Sequence, residues 1–247
     1  MNTPYYVIHK KELDDNFHKL QCAIAEHWEN AIIGYSYKTN ALPWIIKRFD
    51  KLGCYAEVVS EDEYELAKLI GVKKDCIIYN GPIKTKPSFA EAIKNGCIVN
   101  VDSQRELNWL DELDVEKKSI GIRVNFDIEK YCPGQSQCGD EGGRFGFCLE
   151  NGEFGKVLDR LKKSNVKISG IHLHTSSKTR GVDIYRAIAQ TACEIQDKYH
   201  LDLDYIDVGG GFFGGLSTKP QFDEYIASIA EILRTRFDKK RTKLIIE

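Results

Sequence analysis

The chain has 247 residues, of which 42% are hydrophobic and 29% charged, enough for one large core. Its net charge is −2, with Lys and Arg interspersed among Asp and Glu, which excludes the broad basic face that nucleic acid or an anionic membrane surface requires. No apolar run approaches the roughly 18 residues of a membrane-spanning helix, and Met1 to Lys10 lacks the basic-then-apolar pattern of a signal peptide, so a cytoplasmic location is expected.

In chain order, short apolar runs alternate with segments of helical period. Strands are predicted at 31–38, 55–60, 76–80, 97–101, 119–125, 168–175, 205–209 and 243–247, and helices at 42–52, 61–70, 86–95, 103–113, 152–163, 182–199 and 220–237. Eight strands with seven intervening helices define an α/β fold, a (β/α)8 TIM barrel that stops at its last strand, and about 250 residues is the usual size of such a barrel. One domain is expected over 1–247. Ser103 with Glu106 three positions on reads as a capping box, and Gly71 as a helix stop. Outside this count, 5–9 reads as an extra strand ahead of a helical segment at 11–26. The stretch 126–143, with one proline, four glycines and two cysteines, reads as a long functional loop.

The eight cysteines, Cys22, Cys54, Cys76, Cys97, Cys132, Cys138, Cys148 and Cys193, are scattered without a C-x-x-C or a paired Cys/His spacing. They are expected to be reduced and largely to act as small hydrophobes, and no metal site is predicted. A bridge or metal site at Cys132 and Cys138 does not suit a cytoplasmic protein.

Barrel active sites collect at the C-terminal ends of the strands. Those ends carry Lys38, Glu57, Ser60, Asn80, Asp102, Arg123, Asn125, His174, Gly209, Gly210, Gly211 and Glu247. Lys38 closes an apolar run just before Thr39-Asn40, a rim position suited to a Schiff-base lysine. The five glycines of Asp207-Val-Gly-Gly-Gly-Phe-Phe-Gly-Gly215 follow the seventh strand, where barrel phosphate sites form, and are read as an anion cradle ahead of a helix. His172 and His174 share one face of the sixth strand. A zinc pair there lacks a third ligand, so the rim residue His174 is assigned to the site and His172 to the core.

Taken together, Lys38, Tyr55-Ala-Glu-Val-Val-Ser60, Arg123, Gly143-Arg-Phe-Gly-Phe147, His174-Thr-Ser-Ser177, the triple glycine and the final Ile-Ile-Glu247 closely resemble the fold-type III pyridoxal-phosphate decarboxylases. These are the diaminopimelate, ornithine and arginine decarboxylases, whose barrel is related to that of alanine racemase. The resemblance spans Thr3 to Glu247 and implies pyridoxal 5′-phosphate as cofactor, Lys38 as the Schiff-base residue and His174 as the imidazole stacked on the ring. It further implies Ser177 and Gly209 to Gly211 on the phosphate, Glu57, Glu63 and Arg123 near the cofactor, and Glu247 on the pyridine nitrogen, where it keeps the electron sink protonated. The implied reaction is decarboxylation of a small-molecule amino acid, diaminopimelate or another basic one.

The chain departs from the family at His174-Thr-Ser-Ser177, where His-x-Gly-Ser is usual, and at Gly143. It also stops before the family's Pro-Gly-Arg and C-terminal β-domain, so it reads as a truncated piece of a two-domain homodimer, poorly active alone, with 5–9 the strand that normally joins the absent domain. The alternatives are a barrel-only cofactor carrier and a non-catalytic regulatory homologue.

Overall fold

The computed structural model describes residues 3–114, 118–137, 143–164 and 166–247. Helix α1 (Lys10–His27) leads into β1 (Ala31–Ser36), and α2 (Pro43–Lys51), β2 (Tyr55–Ser60), α3 (Glu61–Ile70), β3 (Ile77–Ile83), α4 (Lys86–Lys94), β4 (Ile98–Val101), α5 (Gln104–Glu112) and β5 (Ser119–Asn125) follow. The chain continues through the short β6 (Phe147–Cys148), α6 (Glu153–Lys163), β7 (Lys167–His172), α7 (Val182–Tyr199), β8 (Tyr205–Asp207), α8 (Phe222–Leu233) and β9 (Lys243–Ile246). Parallel pairing runs β1-β2-β3-β4-β5-β7-β8-β9 and returns to β1, so eight strands close a barrel, and β6 flanks β5. Among the described residues no helix is long and apolar enough to cross a membrane.

Inward side chains alternate with a period of two along each strand. The base of the barrel is apolar: Ile32, Ile78, Tyr205 and Ile245 pack together, with Tyr55 and Ile98 against them. Tyr205 spans the interior because Gly121 and Gly170 leave it room; a Cβ at Gly121 would lie 2.0 Å from its hydroxyl and one at Gly170 2.2 Å from its ring. Two positions on from these inward residues come Glu57, Asn80, Asn100, Arg123, His172, Asp207 and Glu247, and on β1 Ser36 stands four positions on from Ile32, past Gly34. A polar layer therefore sits on an apolar floor at the C-terminal mouth.

Several elements differ from expectation. The strands at 31–38 and 168–175 stop early, at Ser36 and His172, which leaves Lys38 and His174 on turns above the sheet. The segment 5–9 forms no strand: it carries no ladder, and Tyr5 to Ile8 are exposed. The closed barrel leaves it no neighbour. Ser103 sits at the start of α5 but its side chain makes no cap bond. Glu106 turns instead to the Asp102 N–H at 2.7 Å and to Lys84 at 3.4 Å. Gly71 ends α3 in the left-handed region, as read from the sequence. In the loop at 126–143, Cys138 lies outside the described residues; Cys132 is a free, buried thiol.

Candidate active site

The backbone beyond β1 places the lysine. Tyr37 N–H donates to the Glu57 carbonyl at 3.0 Å, and both Thr39 N–H and Thr39 Oγ1 donate to the Ser36 carbonyl, at 3.2 and 2.7 Å. The resulting turn hangs Lys38 over the polar layer, where Nζ donates to Glu57 Oε2 at 3.3 Å and lies 3.8 Å from Glu247 Oε2. Burial pulls the Lys38 pKa down, but Glu247 and Glu57 outweigh it and the net shift is upward. The amine is thus stored as an ammonium between two carboxylates.

Those carboxylates are fixed from several sides. Glu57 is fully buried and accepts hydrogen bonds from Ser36 Oγ and, at 3.1 Å, from Asn80 Nδ2. The same Asn80 amide donates to Glu247 Oε1 at 2.6 Å, so one side chain holds both acids. Glu247 N–H donates to the Gly209 carbonyl at 3.0 Å. Burial, then Glu57 and Asp207, push Glu247 well above the usual carboxylate range. Asp207, fully buried, is raised to about 7 by burial, against the pull of the Gly209 N–H it accepts at 2.9 Å.

Both histidines belong to the site. His174 Nδ1 accepts the Gly210 N–H at 3.2 Å, which places the ring proton on Nε2; burial, then Arg123 and Lys38, lower its pKa to about 3. His172, expected in the core, is indeed buried, yet its ring stacks 6.2 Å from that of His174 and its Nε2 is 3.4 Å from Glu247 Oε1. Among the described residues neither of its ring nitrogens has a hydrogen-bond partner. It points into the same polar layer, and the signal that finds it is the inward period of β7.

The glycines act first as clearance. A Cβ on Gly209, whose φ is +70°, would lie 2.4 Å from His174 Nδ1, and one on Gly210 would lie 2.7 Å from the Glu247 carbonyl oxygen. Because Gly209 and Gly210 spend their N–H groups on Asp207 and His174, and α8 starts only at Phe222, the cradle offers fewer free donors than the sequence suggested and no adjoining helix end.

On the opposite side, Arg123 donates to Asp102 Oδ2 at 3.0 Å and its guanidinium sits 4.8 Å from the Phe145 ring, while its buried Nε has no partner among the described residues. Two expected residues stand apart. Glu63 accepts the Val59 N–H at 2.8 Å and donates its own N–H to Ser60 Oγ, capping α3. Ser177 is buried, and its hydroxyl accepts the Arg180 N–H at 3.2 Å. Neither lines the cavities described next.

Two cavities meet at Lys38 and His174. One, of about 440 Å³, reaches Ser36, Thr39, Arg180, Gly210, Gly211 and Glu247. The other, of about 390 Å³, reaches Asn80, Arg123, Asn125, Arg144, Phe145 and His172. Ligand atoms of His172, Asp207 and Glu247 lie within 4.8 Å of one another, a donor set usable by a divalent ion, but Lys38 competes for the same Glu247 carboxylate. A cationic ring nitrogen suits the set better. Glu247 gains a counter-charge for its buried carboxylate, the unpartnered nitrogens of His172 and Arg123 gain a polar ligand, and the glycine clearance admits a flat ring beside His174.

Comparison with known proteins agrees. The family described as pyridoxal-dependent decarboxylase, pyridoxal binding domain, matches residues 12–247, and the chain belongs to it, with pyridoxal phosphate as cofactor. Diaminopimelate decarboxylase of Aquifex aeolicus is 28% identical over 254 residues, covering 99% of this chain and 59% of that protein. The crystal structure of diaminopimelate decarboxylase from M. jannaschii in complex with L-lysine matches with a TM-score of 0.83 at 25% identity, over 100% of this chain and 61% of that one. Antizyme inhibitor 1 of Rattus norvegicus is 26% identical over 220 residues, covering 85% of this chain and 46% of that protein. The sequence match spans between 44% and 60% of the length of the diaminopimelate decarboxylases it resembles.

Proposed function

We propose that the chain supplies the cofactor-binding half of an amino-acid decarboxylase site, in which Lys38 is the covalent attachment point for pyridoxal phosphate. The observation that carries this reading is the placement of Lys38 Nζ between Glu57 and Glu247 at the junction of two cavities. When bound, the cofactor acts as an electron sink for the bond to the leaving carboxylate.

The residues then have separable tasks. Lys38 must shed a proton before its amine can attack, and Glu247, pushed upward by burial, is the nearest carboxylate with a raised affinity for one. Asn80 holds Glu57 and Glu247 apart in fixed positions. His174, kept neutral, packs against the ring and adds no competing positive charge. Arg123 keeps a cation near the mouth of the second cavity, where a substrate carboxylate would be held.

That second cavity is the proposed place for the substrate side chain. Its described lining includes Arg123, Arg144, Asn80 and Asn125 and no carboxylate, so it favours a substrate whose distal end carries a carboxylate over one whose side chain ends in a bare ammonium. Diaminopimelate has such an end, in keeping with the names of the relatives. The match to antizyme inhibitor 1, a protein named for a regulatory role, favours a non-catalytic regulatory homologue as the second reading. Mixing the chain with pyridoxal phosphate, reducing with borohydride and mapping peptides separates the two: decarboxylase-type binding predicts an adduct on Lys38, and its absence overturns the proposal.

A further inference from the structure

Resting on the reading of Lys38 as the attachment point, we infer that Tyr205 is a positioning residue for that lysine, acting from the barrel floor through Asn100 and Asn80 on Glu57 and Glu247. The contacts are continuous. Tyr205 Oη donates to Asn100 Oδ1 at 2.7 Å, and Asn100 Nδ2 donates to Asn80 Oδ1 at 2.7 Å. Asn80 Nδ2 then donates to Glu57 Oε1 at 3.1 Å and to Glu247 Oε1 at 2.6 Å. This run of bonds crosses the interior from β8 through β4 to β3, and Tyr205, both asparagines and Glu57 are buried along it.

The direction of the bonds is fixed at both ends. Burial and then Asp207 push the Tyr205 pKa well above its ordinary value, so the phenol keeps its proton and donates it. At the mouth, an ionised carboxylate can only accept. An amide between such ends must turn its oxygen toward the floor and its NH2 toward the mouth, and both asparagines do. Without the phenol proton, Asn100 Oδ1 becomes a buried acceptor with no donor, a cost its amide relieves by turning over. Asn80 then turns as well, and its Oδ1 faces Glu57 and Glu247, which meet it only by holding a proton. Asp207, which accepts from Asn100 Nδ2 at 3.4 Å, loses that donor in the same turn. The charges acting on Lys38 are Glu247, Glu57 and Arg123, and behind the glutamates stand Asp207 and the neutral His172 and His174. Each charge that changes is a carboxylate's, so the negative charge beside Lys38 falls and the lysine pKa falls with it.

Tyr205→Phe tests this, because it keeps the ring for which Gly121 and Gly170 leave room and removes only the hydroxyl. The pH midpoint for attachment of pyridoxal phosphate to Lys38 is followed by absorbance in the unaltered chain, in Tyr205→Phe, in Asn100→Leu and in the double variant. Expected in Tyr205→Phe is a move to lower pH of about half a unit to one unit, the worth of one buried hydrogen bond. Asn100→Leu should give the same move and the double variant no more, since both cut one run of bonds. Ile245→Val loosens the same floor without touching the run, so its midpoint should stay in place, which tells lost packing from lost direction. In the cofactor-free chain, the infrared carbonyl band of protonated carboxyl groups should persist to higher pH in Tyr205→Phe. An unmoved midpoint or infrared titration in Tyr205→Phe, or the same move in Ile245→Val, overturns the inference while leaving the cofactor site standing. Failure of the unaltered chain to form an adduct on Lys38 overturns the cofactor reading instead, and the infrared titration then decides whether Tyr205 governs the two glutamates.

Discussion

Two lysines stand near the mouth of the same barrel and face opposite fates. Lys84, just beyond β3, is fully buried and donates to the carbonyls of Gly81 and Asn100 and to Glu106. Burial lowers its pKa, and every donor is spent. Lys38 also faces buried carboxylates, but its side chain is 40% exposed and borders both cavities. The contrast separates a lysine that builds the site from one that works in it. Burial without access gives structure; paired charge with access gives chemistry.

Lys84 is tied to the site on two sides. Through Gly81 it abuts Asn80, the amide that holds Glu57 and Glu247. Through Glu106 it reaches the Asp102 N–H, and Asp102 in turn binds Arg123 and the Gly146 N–H at 3.0 Å each. Replacing Lys84 by Met strands Glu106 in the interior, and breaking a buried pair in this way costs about 3–5 kcal/mol. Lys38→Met should cost far less in a urea melt, since Glu247, already raised, can take up a proton. Equal losses for the two variants would erase the distinction drawn between these lysines.

Gly209→Ala ranks next. Its Cβ would meet His174 Nδ1, and φ +70° is strained for alanine, so a loss of about 1–3 kcal/mol is expected, with weakened cofactor binding because the ring of His174 must move. Unchanged binding would show that the clearance is not used.

The carboxylate cluster around Lys38 predicts a pH signature. Asp207 has its folded-state pKa raised from 3.8 to about 7, so the folded protein holds this proton more tightly than the unfolded chain. Stability from this group is present below about pH 4 and is lost as pH rises through 7. His172 and His174, held neutral, act in the opposite sense below their ordinary value of 6.5. Above that value the carboxylates act alone, and thermal melts should fall between pH 6.5 and 8. Asp207→Asn should flatten that fall; a slope identical to that of the parent would remove Asp207 from the coupled set.

A smaller effect concerns the amine itself. Glu57→Gln removes one of the two charges that raise Lys38, so the midpoint for cofactor attachment should move to lower pH when rates are followed by absorbance. An upward move would contradict the account. Glu63→Ala removes the acceptor of the Val59 N–H but keeps the Ser60 cap, so it should cost about 1 kcal/mol, the net worth of one hydrogen bond, and leave cofactor affinity alone.

Much of this was legible in the sequence, for physical reasons. A closed parallel barrel follows from the alternation of apolar runs and helical periods, and strand ends mark its mouth, which located Lys38, Glu57, Arg123, His174 and Glu247. What escaped was set by tertiary partners. Ser103 and Glu106 have the spacing of a capping box, but a buried lysine 22 residues earlier claimed the glutamate. The triple glycine reads as free N–H donors, yet a neighbouring carboxylate and imidazole consume two of them. Asn80, Asn100 and His172 are ordinary in a one-dimensional reading and meet only across the barrel, where Asn100 Nδ2 donates to Asn80 Oδ1 at 2.7 Å. Their inward period of two was the signal available.

The most direct test of the central claim is where the cofactor attaches. The chain loaded with pyridoxal phosphate, reduced with borohydride and digested, should yield one modified peptide carrying the label on Lys38 and none on Lys84. A label on Lys84, or one spread over surface lysines with Lys38 untouched, would contradict the account.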